Sequence, residues 1–154
     1  MTDNRIHVPD PALMRRAGNR MILALIAILI FATPFTIWGI VLLAAGELPG
    51  LPLAVGGAVL EIATVVLVVT TLRIRSTLDH DTISRESLLQ ARRVARGVRL
   101  ASLTTVLALI AYGLIRGLTG EWWSLLTALL IGVALYLLGS GAKNIVRAQD
   151  RSLA

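Results

Sequence analysis

The chain has no cysteine, which excludes disulfides, thiolate metal sites, iron–sulfur ligation and thiol redox chemistry. Its two histidines, His7 and His80, both fall outside the long apolar runs, so neither a bis-histidine haem nor a histidine metal site at membrane depth can be built. No pair of carboxylates, no serine–histidine combination and no glycine-rich phosphate loop occurs where it would form an active site. The three absences together point away from an enzyme, a resident cofactor and a metal. Asp79, His80 and Asp81 are consecutive, and consecutive side chains cannot all turn to one ion, so a solvated turn with an aspartate N-cap is expected there.

Charge is scarce along most of the chain. Apolar residues make up 56% of it and the mean hydropathy is +0.78, too hydrophobic for a soluble core. Four runs are long enough to cross about 30 Å of hydrocarbon as helices: Met21 to Gly46, Leu51 to Leu72, Leu100 to Thr119 and Trp122 to Ala142. None shows the alternating polarity of a barrel strand. The expected fold is all-α, a single membrane domain forming a four-helix bundle of two transmembrane hairpins. The first run exceeds a signal-peptide core, so it is expected to stay as an anchor.

Lys143 is the single lysine among fifteen basic residues. Where these residues lie matters more than the pI near 11.3. All but Arg116 fall in three blocks: the segment 1–20, the loop 73–99 and the tail 143–154. The connections around Gly46 and Gly120 hold only Glu47 and Glu121. The positive-inside rule then puts both termini and the central loop in the cytoplasm, in a multi-pass protein of the inner membrane. Arg92, Arg93, Arg96 and Arg99 are expected to meet anionic lipid headgroups rather than nucleic acid. The preference for arginine over lysine suggests a GC-rich bacterial source.

Asp10 followed by Pro11 is a helix start, and Pro34 inside the first span should kink it, with Thr33 and Thr36 near the freed carbonyl. In the central loop Leu88, Ala91, Val94, Ala95 and Val98 recur at helical spacing between Arg85, Gln90, Arg92, Arg93, Arg96 and Arg99. That pattern predicts an amphipathic cytoplasmic helix that runs into the third span, from about Asp81 to Leu118. Sliding the chain by 74 residues lays WGIVLLAAGE, Trp38 to Glu47, over YGLIRGLTGE, Tyr112 to Glu121. Such an offset suggests two parallel halves related by an axis along the membrane normal.

Glu61 lies mid-span, where a carboxylate is costly unless something satisfies it. Ala54, Gly57, Ala58, Glu61 and Thr64 share one small, polar face of the second helix. Rise per residue puts Glu61 roughly 13 Å and Thr36 roughly 15 Å below the outer surface, with Arg116 about 5 Å below it. Two arrangements are open: Arg116 reaches down to Glu61, or it turns outward to Glu121 and leaves Glu61 against Thr36 or Thr64. Gly113 and Gly117 form a GxxxG pair, and Ala128 with Gly132 a similar one, which with Gly57 suggest close helix packing. Trp122 and Trp123 fit the outer aromatic belt.

Small four-helix multidrug transporters also use a membrane glutamate, but in their first helix and among aromatic residues. Duplicated rotary ATPase proteolipids share the two hairpins and the lone carboxylate, with the termini on the other side. This chain departs from both. The sequence therefore points to a non-catalytic accessory or assembly subunit, with a larger membrane-protein partner or a second copy of itself. A small proton- or cation-coupled transporter using Glu61 is the alternative.

Overall fold

The computed structural model describes residues 5–7, 11–76 and 82–151. Four long helices dominate it: α1 (Pro11–Ala44), α2 (Gly57–Ser76), α3 (Arg85–Leu118) and α4 (Trp122–Arg151). The turn Pro52–Gly56 is π-helical and leads straight into α2. It opens on Pro52, which has no N–H to give to a tighter ladder. Each helix contains a stretch long and apolar enough to span a membrane. α1 starts at Pro11 as its sequence predicts, and α3 runs unbroken from the amphipathic segment into the third apolar run. Along it Ala91, Ala95 and Val98 are buried while Arg93, Arg96 and Arg99 are exposed. α4 passes the expected end at Ala142 and continues to Arg151, because nothing in AKNIVRAQDR breaks a helix.

Chain reversals set the packing. Gly46 at φ 80° and Gly120 at φ 93° occupy the left-handed region after α1 and α3, where a Cβ would be strained. Around the first, Glu47 N–H donates to Leu42 O at 2.9 Å and Gly46 N–H to Leu43 O at 3.0 Å. Around the second, Glu121 N–H donates to Arg116 O at 3.0 Å and Gly120 N–H to Gly117 O at 3.1 Å. Both are Schellman caps. Beyond each cap the helices run back antiparallel. A Cβ on Gly39 would meet Ala54 N at 2.4 Å and one on Gly57 would meet Thr36 Oγ1 at 2.3 Å, while the Arg75 guanidinium donates to Asn19 Oδ1 at the far end. In the second hairpin Gly113 lies against Ala128, Gly117 against Leu125, and Gly139 against Ser102.

The two halves are structural repeats. α1 and α3 are each 34 residues long and start 74 residues apart. The capping glycines, their paired bonds, and the Gly39–Ala54 and Gly113–Ala128 approaches all recur at that same offset. Two short strands also pair across the halves, although they stand 77 rather than 74 residues apart: β1 (Arg5–His7) and β2 (Thr82–Ser84) run antiparallel, Ile6 opposite Ile83. The fold is all-helical as expected, and this ribbon is a small addition to it. Three-residue strands carry no alternation to read, and their pairing is not local in sequence.

The two halves nevertheless pack differently. α2 packs against both α3 and α4, whereas among the described residues α1 packs chiefly on α2 and its π-helical turn. α1 is therefore the outer helix, and Ile30 (68%), Phe31 (74%) and Leu23 (67%) are bare on it. The core lies where the other three meet, around Leu60, Leu109, Ile131 and Leu135. Two hydroxyls tie the hairpins together at the end with the glycine turns: Tyr112 donates to Leu48 O at 3.0 Å and Thr127 to Pro49 O at 3.3 Å.

Candidate functional site

Glu61 sits in α2 one helical turn beyond Gly57, whose backbone presses on Thr36 of α1. Antiparallel register puts Glu61 level with Ala32, about 6 Å along the axis from the Thr36 contact. On a helical wheel it falls on the outer flank of the α1–α2 seam, further from α3 and α4 than Leu60 or Ala63. The residue is partly exposed. Its Oε1, however, is buried and has no hydrogen-bond partner.

The neighbours expected to satisfy this carboxyl are otherwise engaged. Thr36 Oγ1 donates to Ala32 O at 3.2 Å and Thr64 Oγ1 to Leu60 O at 2.7 Å, each within its own helix. Thr33 likewise donates to Leu29 O, so neither threonine meets the Ile30 carbonyl that Pro34 frees. Arg116 does not reach Glu61. Gly56 lies against Leu109, and counting rise from that level separates Glu61 from Arg116 by about 18 Å along the bundle, far beyond an arginine's reach. Of the two arrangements open in the sequence, the structure takes the outward one: the Arg116 guanidinium donates to both Glu121 oxygens, Nε to Oε2 at 2.9 Å. Ser124 adds a third bond to that carboxylate at 3.3 Å.

No protein family, curated protein or solved structure matches the chain. What the site can do therefore follows from its own geometry. Among the described residues no cluster of histidine and acidic side chains would hold a metal ion, and Asp79 to Asp81 lie outside them. Gly57 and Gly113 are at close helix approaches and Gly117 is in ordinary contact with Leu125. Gly132 departs from its expected role. A Cβ there would meet only Val106 at 4.0 Å, because Ala128, fully buried, is the residue at the tight approach. Among the arginines assigned to headgroups, Arg92 is half-buried and Arg93, Arg96 and Arg99 are exposed.

The sequence reading missed two residues. Gly39 makes a close approach that was not expected of it, and the repeat itself, pairing Gly39 with Gly113, carried the signal. Ser102 is 1% exposed, and its hydroxyl has no hydrogen-bond partner. It continues the small-residue stripe Ala91, Ala95, Val98 by one turn.

The outer ion pair has a pH signature. Hydrogen bonding to Arg116 holds the Glu121 carboxyl below the usual carboxylate range. A depressed folded-state pKa stabilises the fold above the unfolded value of about 4.3, and this contribution disappears as pH falls through the lower folded value. Glu121→Gln should thus be slightly less stable than the parent at pH 7, the pair being partly exposed. The gap should close on acidification below about pH 4. Thermal unfolding in detergent across pH checks this, and a constant gap down to the acid limit would mean that the carboxylate's charge is irrelevant.

Proposed function

We propose that the chain is a multi-pass protein of the bacterial inner membrane with both termini in the cytoplasm, and that it serves as a non-catalytic accessory or assembly subunit of a larger membrane complex. The grouping of every basic residue except Arg116 away from the two glycine turns supports the orientation. The observation that carries the function is Glu61. A carboxyl oxygen buried without a partner costs several kcal/mol in an apolar setting, and this one lies on the flank of the α1–α2 seam. The residue is still partly exposed there, so a helix from another chain would bring its donor to the exposed part of the carboxyl.

Extraction of the native complex in a mild detergent tests the proposal. The wild-type chain should co-purify with a larger membrane protein at fixed ratio. Glu61→Leu should fold and lose the partner, while Glu61→Gln, which keeps hydrogen-bonding capacity, should retain it. A monodisperse homo-oligomer without any other chain, in detergents and nanodiscs alike, overturns the subunit reading. The alternative, proton- or cation-coupled transport, rests on the same carboxyl and makes the opposite demand: an amide cannot exchange a proton near neutrality, so Glu61→Gln would abolish activity in cells.

A further inference from the structure

At the arginine-rich end of the bundle, the last turns of α2 and the first turns of α3 enclose an open crevice of about 110 Å³. Val69 and Thr70 of α2 and Val94 of α3 line the end farther from the helix termini, with Ala91 one turn nearer the mouth; Val69 itself is 58% exposed. At the mouth lie Arg73 from α2 and Ser87 and Gln90 from α3. Seven residues of helix separate Ser87 from Val94, so the slot is about 10 Å long, with Ile74 beside the polar groups at one end and Thr70 among the valines at the other.

Among the described residues, three polar groups at the mouth are without a partner. Among the described residues the Arg73 guanidinium, the Ser87 hydroxyl and the Gln90 amide make no hydrogen bond or ion pair. The first turn of α3 adds backbone N–H groups that have no partner inside the helix, where an anion is favoured. Glu86 belongs to the same turn but does not line the crevice. A planar guanidinium, a hydroxyl and an amide at one rim form a donor set for phosphate oxygens, and the apolar floor behind them suits a glycerol backbone and the start of an acyl chain.

We propose that this crevice is a binding site for one anionic phospholipid, its phosphodiester at Arg73, Ser87 and Gln90 and its chains running inward over Val69 and Val94. The site is distinct from the diffuse attraction of exposed arginines such as Arg93 to a charged surface, because it requires particular residues on two helices.

Native mass spectrometry of the full chain in detergent, titrated with phosphatidylglycerol or with phosphatidylcholine of the same chains, measures the preference. The wild type should retain phosphatidylglycerol roughly tenfold more tightly than phosphatidylcholine. Arg73→Gln and Gln90→Leu should each lose most of that preference with unchanged unfolding temperature in the absence of lipid, and Arg93→Gln should keep it. Equal losses in Arg73→Gln and Arg93→Gln would show diffuse charge and overturn the site. Inorganic phosphate at equal concentration should leave lipid retention unaffected. Competition as strong as that of the lipid would mean that the crevice recognises free phosphate, which also overturns the proposal.

Discussion

Gly39→Ala should destabilise the protein by about 2–3 kcal/mol, whereas Gly97→Ala should stabilise it by up to ~1 kcal/mol. Both positions lie inside 34-residue helices, and alanine improves helix propensity at each. They differ in what a methyl group meets. At Gly97 no atom lies within 4 Å, so only the propensity gain remains. At Gly39 the added carbon would lie 2.4 Å from Ala54 N and 2.8 Å from Leu53 C, both backbone atoms that no rotamer change can move. The α1–α2 hairpin has to part. In lipid, where apolar side chains gain little by leaving the solvent, close approach supplies most of the helix-to-helix attraction, and among the described residues α1 packs chiefly on α2 and the π-helical turn before it. Reversible unfolding in mixed detergent micelles, followed by circular dichroism, gives both numbers. Equal effects of the same sign would disprove the close contact.

The second large effect is at the three-helix junction. A Cβ on Gly56 would lie 2.4 Å from Ile131 Cγ2 and 2.9 Å from Leu109 Cδ1. Gly56→Ala alone should cost about 1–3 kcal/mol through overpacking. Ile131 is 4% exposed, and Ile131→Ala alone should cost about 2–4 kcal/mol through the cavity it leaves. Combined, the new methyl enters that cavity, so the double variant should be more stable than the sum of the two losses implies by about 1 kcal/mol or more. Strict additivity in a double-mutant cycle would place the two residues apart.

How far the sequence could be read depended on whether a feature was local. The four apolar runs, the start of α1 at Pro11 and the amphipathic beginning of α3 were legible because helical periodicity and breakers act within a few residues. The turn glycines were legible twice over, since Gly46 and Gly120 sit at matched places in a repeat. The surroundings of Glu61 were not. Whether Arg116 lies near it depends on how far α3 slides along α2, which the two turns and the Gly56–Leu109 contact fix together and no short window reveals. The nearer carboxylate, Glu121, was a residue the sequence did offer, and the reversal at Gly120 delivers it. The β1–β2 ribbon was invisible for the same reason: each strand is too short for a pattern, and its partner is a whole repeat away.

The matched reversals at Gly46 and Gly120 have a geometric consequence for how such a chain can be doubled. A unit that turns back once ends where it began, so a second copy joined to its tail starts from the same end and points the same way. The starts of α1 and α3, both ribbon strands and the arginines near them therefore meet on one side without any inversion of the copy. A unit with an odd number of passes would have delivered its duplicate upside down, with its basic end opposed to that of the first. Parity, more than any single contact, lets the two halves pair strand to strand and share one charged face.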